Sequence, residues 1–333
     1  MEKIRRNRVP VFGISALLCV AAVVLSFCAG AVWYSPLDIL RLMAGRGGSM
    51  NRAIFLYSRL PRTMAAFLSG AALAVSGAVL QNVLANKLAS PSIIGVNAGA
   101  GLGVTLCCAA GLLSGWAVSC AAFCGSLVTV LLIWLFSYRT GASRSTVILG
   151  GVALNSVLNA FSESVTVLDS DVAALSIDFR VGGFSAVSYF RLLPAAVLIV
   201  AGLAVLLTLC NELDVVTLGD DTARGVGMDV RKYRILFLIL AALLAGAAVS
   251  FAGLLGFIGL IVPHFVRRLT GNESRRLLPL CAVIGGGFVT LCDTAARVLF
   301  LPYELPVGIL MAAIGGPVFV AILIRGRGGQ HDD

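Results

Sequence analysis

The chain has 333 residues, 59% of them hydrophobic and 12% charged, with a net charge of +9. A soluble domain carries about 25% charged residues, so this composition excludes an ordinary aqueous globule and points to a bilayer, which accepts that much apolar surface. The positive charge does not imply a nucleic-acid partner, because the basic residues sit in short stretches between apolar runs and not on one polar face with interleaved aromatics.

Lys3, Arg5, Arg6 and Arg8 precede the first apolar run, 11–32. At about 20 residues per crossing it is long enough to span, and a cleaved signal has a shorter core and a small-residue cleavage site. It is predicted to be an uncleaved transmembrane helix. Nine more apolar segments follow, at 63–84, 93–112, 115–136, 145–168, 191–210, 234–252, 256–268, 277–297 and 306–324. The eighth, 256–268, is short and reads either as a half-helix or as an extension of the seventh. The expectation is an all-α polytopic membrane protein of about ten transmembrane helices, forming one transmembrane domain over 1–333.

Orientation follows from the distribution of Lys and Arg. With the N-terminus inside and strict alternation, 17 of the 25 basic residues are cytoplasmic: Lys3, Arg5, Arg6, Arg8, Lys87, Arg139, Arg144, Arg224, Arg231, Lys232, Arg234, Arg267, Arg268, Arg275, Arg276, Arg325 and Arg327. The outer side holds the other 8: Arg41, Arg46, Arg52, Arg59, Arg62, Arg180, Arg191 and Arg297. The asymmetry places both termini in the cytoplasm, with 1–10, 211–233 and 325–333 as cytoplasmic segments of an inner-membrane protein. Arg59, Arg62 and Arg297 fall at outward helix ends, where a snorkelling anchor is the plain reading.

Leu68-Ser69-Gly70-Ala71-Ala72 leads to Gly77, and Leu244-Ala245-Gly246-Ala247-Ala248 leads to Gly253 at the same spacing. The two helices run in opposite directions in this layout, as an inverted repeat requires. The run Gly99-Ala100-Gly101-Leu102-Gly103 follows no strand and opens an apolar helix, so it reads as close helix packing and not as a nucleotide loop. The nine cysteines, Cys19, Cys28, Cys107, Cys108, Cys120, Cys124, Cys210, Cys281 and Cys292, lie in or at the ends of apolar runs with no CxxC pair, as packing residues do.

None of the three lysines follows a phosphate-loop glycine pattern, so any ATP-driven transport needs a separate engine. The two histidines, His264 and His331, sit apart, and no catalytic constellation, metal site or cofactor site is predicted. Between the sixth and seventh segments, Asp220 or Thr217 is placed to cap a short helix and Gly227 to end it. That exposed helix is either a solvated connector or a docking knob for a cytoplasmic partner. On the fifth segment, Asn155, Asn159, Ser162 and Glu163 share one side by i, i+4, i+7 and i+8 spacing. An ionisable residue within a membrane segment marks a cavity by default, and Gln81 with Asn82 offers a second polar patch.

The stretch Leu218-Gly219-Asp220-Asp221-Thr222-Ala223-Arg224-Gly225-Val226-Gly227 resembles the coupling segment of the FecCD/BtuC family of permeases. Ser58-Arg59-Leu60-Pro61-Arg62, Ser76-Gly77-Ala78-Val79-Leu80-Gln81, Asn86-Lys87-Leu88-Ala89-Ser90-Pro91, Gly95-Val96-Asn97-Ala98-Gly99-Ala100, Gly256-Phe257-Ile258-Gly259-Leu260-Ile261-Val262-Pro263-His264, Glu304-Leu305-Pro306-Val307-Gly308 and Gly315-Gly316-Pro317-Val318-Phe319 are similar to further family motifs in the same order, over 59–324. The resemblance implies the permease subunit of an ABC importer for an iron-siderophore or a related chelate, with haem or cobalamin as alternatives. It also implies two cytoplasmic ATPase subunits, an extracytoplasmic binding protein, a second permease subunit in a homodimer or sometimes a heterodimer, and lipid around the whole. Arg59, Arg62 and Arg297 match the positions that grip glutamates of the binding protein. Gly219, Asp220, Asp221, Ala223, Arg224 and Gly227 match the ATPase-coupling segment. Gln81, Asn82, Asn155, Asn159 and Glu163 are the candidates for the translocation pathway.

Three departures stand out. Lys87 replaces a usual proline, Gly225 replaces a usual serine, and Arg180-Val181-Gly182-Gly183 lies where the family often has a tryptophan and a Gly-Ser pair. The rival of another class, an ion-coupled secondary transporter, requires a midplane ion site, and few midplane charges are present to build one.

Overall fold

The computed structural model describes residues 9–30, 32–45, 48–140 and 144–327. The cytoplasmic stretch predicted at 1–10 and the tail at 325–333, with Lys3, Arg5, Arg6, Arg8 and His331, fall wholly or largely outside these residues, as does Arg46. Among the described residues there is helix and no strand.

The first helix, α1 (Val9–Cys28), is apolar throughout. Two short helices follow, α2 (Pro36–Met43) and α3 (Ser49–Ile54). Ser35 starts α2 by a reciprocal capping box: its Oγ accepts from Asp38 N–H at 3.2 Å, and the Asp38 carboxylate accepts from Ser35 N–H and Oγ at 3.2 and 2.7 Å. From α3 the chain passes through a π-helical turn, Phe55–Arg59, into the long helix α4 (Leu60–Val83). Pro61 has no N–H to give the preceding turn, which is where a widened turn is tolerated.

The chain continues through α5 (Val96–Ala109), α6 (Gly115–Thr140), α7 (Arg144–Leu168), α8 (Ser170–Val181), α9 (Tyr189–Thr208), α10 (Cys210–Thr217) and α11 (Asp220–Gly225). It closes with α12 (Val230–Ala252), α13 (Ile258–Thr270), α14 (Ser274–Val298) and α15 (Val307–Arg327). Each of the ten predicted segments corresponds to a helix. Seven are long and apolar enough to cross a membrane, while α5, α13 and α15 are shorter or less apolar. The short eighth segment is a helix of its own, since α12 ends at Gly253 and α13 starts after Phe257, both at positive φ.

The core is built on α4, with α12, α13 and α14 packed around it. The small residues allow this. A Cβ at Gly70 would meet the Gly285 carbonyl of α14, and one at Gly77 would meet Gly259 of α13. Such close approach is how helices associate where lipid removes the hydrophobic drive between them. Ser76 Oγ donates to the Ala241 carbonyl at 2.6 Å and ties α4 to α12. The same geometry recurs in the other half, where Gly99 and Gly103 of α5 lie against Gly125 and Ala121 of α6, and Gly246 of α12 lies against Ser126 of α6. So α4 packs on α14 as α12 packs on α6, the reciprocal exchange that two repeats, α4–α7 and α12–α15, make around one centre.

The helix ends fall into two groups. At one end, Arg59 reaches the last carbonyls of α1, Arg297 of α14 reaches Ser26, and Tyr189 at the start of α9 donates to the Leu56 carbonyl at 2.6 Å. At the other, Asn82 of α4 meets Ser274 of α14, and Arg231 of α12 donates to the Tyr138 carbonyl of α6 at 2.9 Å. These ends agree with the strict alternation of helices assumed in the predicted layout.

Candidate functional site

Four polar constellations stand out from the apolar packing. The first is the segment between α9 and α12. Gly219 takes φ +106 and precedes α11, and Ala223 is fully buried beneath it. The helix closes in a Schellman arrangement: Gly227 N–H donates to Arg224 C=O at 2.9 Å and Met228 N–H to Ala223 C=O at 3.0 Å, with Gly227 at φ +83. The end at Gly227 is as predicted, but the start is not. Thr217 Oγ1 donates to the Asp214 carbonyl at 2.6 Å, and the Asp220 carboxylate accepts from Arg234 at 2.7 and 2.9 Å, so neither caps α11. The Asp220–Arg234 pair fastens α11 to α12 and leaves Asp221, Thr222, Arg224 and Gly225 exposed. Asp229 caps α12, and its hydrogen bonds from Lys232 hold its carboxyl below the usual carboxylate range.

The second is the arginine end. The structure places Arg59, Arg62 and Arg297 close together, but not as three free surface forks. Arg59 is 6% exposed. Its guanidinium donates to Phe27 C=O at 2.7 Å, to Cys28 C=O at 3.1 Å and to Val32 C=O, and lies 4.4 Å over the Tyr34 ring. It satisfies carbonyls left without partners where α1 ends. Arg297 is equally buried, donates to Ser26 C=O and Oγ at 3.2 and 2.9 Å, and pairs with Asp293 one turn back at 3.2 Å. The i−4 relation of Asp293 to Arg297 therefore operates as the spacing predicts. Asp293, 1% exposed, is shared with Arg62, which reaches on to half-exposed Glu304 at 2.6 Å. Of the three arginines, Arg62 alone among the described residues pairs with an exposed carboxylate.

The third is a polar cavity of about 330 Å³ lined by Ser92, Asn97, Ala98, Gly101, Asn155, Asn159, Ser162, Glu163, Arg180 and Leu254. The predicted face of α7 is thus real: Asn155, Asn159, Ser162 and Glu163 all reach it. Asn155 is fixed by two amide hydrogen bonds to the Ser92 and Ile93 carbonyls, at 2.9 and 3.0 Å. Arg180, on α8, donates to Ser162 Oγ at 2.7 Å. The helix α8 has no apolar run to reveal it. Its signals are Asp169, which accepts from Asp171 and Val172 N–H at 2.9 and 3.3 Å as N-cap, and Gly182 at φ +75 as its end.

Gln81 and Asn82 do not join that cavity. They form the fourth constellation, buried at the far end of α4, where both side-chain oxygens accept from Arg267. Their polarity is used up between helices. The sequence departure at Lys87 is accommodated nearby, since the Asn86 side-chain Oδ1 accepts from Leu88 N–H at 2.8 Å in an Asx turn, which shapes the turn without a proline.

A multi-pass helical membrane protein with an exposed loop helix at one end, a buried charge cluster at the other and a polar cavity lined by α5, α7 and α8 has the features of a transport permease. The chain belongs to the FecCD transport family, whose model matches residues 18–325. It is 34% identical to the uncharacterized ABC transporter permease YvrB of Bacillus subtilis, over 98% of this chain and 97% of that one. It is also 34% identical to the vitamin B12 import system permease BtuC of Klebsiella pneumoniae, over 97% and 96% of the two chains. A solved structure of a metal-chelate type ABC transporter in an inward-facing conformation superimposes with a TM-score of 0.85 at 28% identity, covering 95% of this chain and 99% of that one. PsaBC from Streptococcus pneumoniae shares the fold, with a TM-score of 0.56 at 15% identity over 85% and 94%. The chain is therefore a multi-pass inner-membrane permease of an ABC transporter, and the family implies ATPase and substrate-binding partners.

Proposed function

We propose that this chain imports an iron-siderophore or a related metal chelate, working as one of two permease copies between a pair of ATPase subunits and an extracytoplasmic binding protein. The observation that carries the reading is the outer face of α7. Asn159 and Glu163 are exposed on a membrane span, as are Ser156 and Ser164, whose hydroxyls however donate to the Val152 and Ala160 carbonyls of their own helix. Lipid is a poor neighbour for the Asn159 amide and the Glu163 carboxylate, so a second copy facing this helix across a water-filled path is the arrangement that satisfies them. The cavity at Asn155, Asn159 and Glu163 then opens on the path.

The two ends take the remaining roles. The arginine end faces outward and receives the binding protein, with the Arg62–Glu304 pair as its exchangeable contact and Arg59 and Arg297 as the frame that fixes it. A carboxylate of the binding protein replacing Glu304 on the Arg62 fork would make the charge-assisted bond that holds the two together. The α11 end, with Gly219, Asp220, Asp221, Ala223, Arg224 and Gly227, faces the cytoplasmic ATPase, and both termini lie on that side.

Thiol accessibility tests the path. In a cysteine-depleted background, Asn159→Cys reacts readily with a membrane-impermeant maleimide and Leu158→Cys much less. Equal labelling would contradict a lined pathway. The cargo is tested by titrating the cognate binding protein with a ferric hydroxamate siderophore, haem and cyanocobalamin. Cobalamin is the second reading, because BtuC relatives cover nearly the whole chain at 34–35% identity.

A further inference from the structure

We propose that a buried polar relay at the α11 end carries movement of the ATPase-facing segment to the half-helix α13. The inference rests on the reading that α11 meets the ATPase. It begins at Asp214 of α10, the helix that leads directly to Gly219 and α11. Both Asp214 carboxylate oxygens accept from Ser274 N–H, at 3.0 and 3.2 Å, and cap α14. The fully buried Ser274 Oγ accepts from Asn82 Nδ2 at 3.2 Å. Asn82 Oδ1 accepts from Arg267 at 2.7 Å, and Gln81 Oε1 takes the other arm of the same guanidinium. Gln81 Nε2 donates to Gly259 C=O at 3.2 Å. The end of α4 thus holds α13 at its first turn and at its last, and Phe257, at the head of α13, lies against Gly315 of α15.

Two features separate this chain of contacts from ordinary packing. The helices α4 and α13 already meet at backbone distance through Gly77 and Gly259, so the polar grip is not needed to join them. Among the described residues the hydrogen-bond partners of Arg267 are all neutral oxygens. Arg267 is partly buried, and a charge that has lost part of its water with neutral partners alone is costlier to keep there than a neutral side chain. A cation between adjacent amide acceptors has alternative pairings close by, and two discrete arrangements are what a coupling element requires. A shift of Asp214 moves the start of α14, releases or regrips Asn82, and re-pairs Arg267 along α13. Asn82, Ser274 and Arg267 are positioning residues, with no contact to cargo implied.

The test uses the full permease with its ATPase subunits and binding protein in liposomes, made as Ser274→Ala, Ser274→Thr and Asn82→Leu. Co-purification of the ATPase with the unaltered permease checks the underlying reading; if it fails, that reading falls first. With it in place, Ser274→Ala and Asn82→Leu retain the ATPase and its basal hydrolysis, while stimulation by the binding protein drops at least about fivefold. Ser274→Thr, which keeps the hydroxyl, stays near the unaltered level. Unchanged stimulation in Ser274→Ala would overturn the relay, as would an equal loss in Ser274→Thr. If Asn82→Leu fails to assemble, Ser274→Ala decides alone, since it removes one hydroxyl and one link.

Discussion

Gly77→Ala probes the closest seam in the molecule. A Cβ there would stand 2.5 Å from Gly259 Cα and closer still to that residue's carbonyl, and backbone cannot rotate aside as a side chain can. The helices α4 and α13 must part by about 1 Å, an overpacking that costs about 1–3 kcal/mol, near the upper value here because the obstacle is backbone. Parting also stretches the 3.2 Å bond from Gln81 Nε2 to Gly259 C=O, worth about 1 kcal/mol. Alanine recovers about 1 kcal/mol in intrinsic helix propensity. The net is about 2–3 kcal/mol, or roughly 3–4 °C in the midpoint of thermal unfolding for a chain of this length. Gly13→Ala is the control, a glycine inside α1 whose Cβ would meet nothing within 4 Å, so only the propensity gain operates. Both are measured on purified permease in one detergent, by the temperature at which the monodisperse peak is half lost. If Gly77→Ala matches Gly13→Ala, the close approach does not hold the fold and the reasoning fails.

Arg59→Met should destabilise the permease by about 2–4 kcal/mol, because it strips a charged donor from three carbonyls at the end of α1; a thermal midpoint within 1–2 °C of the unaltered protein would contradict this. Glu304→Gln should leave the midpoint nearly unchanged, since half-exposed pairs are worth about 0–1 kcal/mol. The same change should strengthen binding-protein affinity if Arg62 is the exchangeable contact, read by surface binding kinetics. Gly227→Ala puts a Cβ at φ +83 and should cost about 1–2 kcal/mol of local stability, seen as faster amide hydrogen exchange across 219–228 and weaker ATPase co-purification.

The helical layout was legible because it rests on apolar length and charge alternation, which lipid enforces residue by residue. Ten apolar runs became ten helices. What the runs did not contain was missed: α2, α3 and α8 are short, mixed in polarity and made by caps such as Ser35 with Asp38 and Asp169 with Val172. Of the matching Gly70–Gly77 and Gly246–Gly253 patterns, Gly70, Gly77 and Gly246 mark close helix approach, whereas Gly253 lies past the end of α12 at φ +70 and serves the turn.

Charged residues were harder to place, for a physical reason. An arginine at a predicted helix end is equally consistent with a snorkelling side chain, a docking fork and an internal clamp, since all three need the same residue at the same depth. What separates them is where the last carbonyls of neighbouring helices fall, and that is set by tertiary packing. Cys28 and Val32 sit about 30 positions from Arg59 in the chain, too far for spacing to show contact. Burial then separates three arginines that the sequence treats alike. Arg59 and Arg297 are fixed by carbonyls and by Asp293, so a partner protein would have to break those bonds to use them, whereas Arg62 needs only to trade half-exposed Glu304 for an incoming carboxylate. If this end docks a binding protein as proposed, one exchangeable arm on two immobile supports would keep its fork oriented before the partner arrives, and that preorganisation would lower the cost of association.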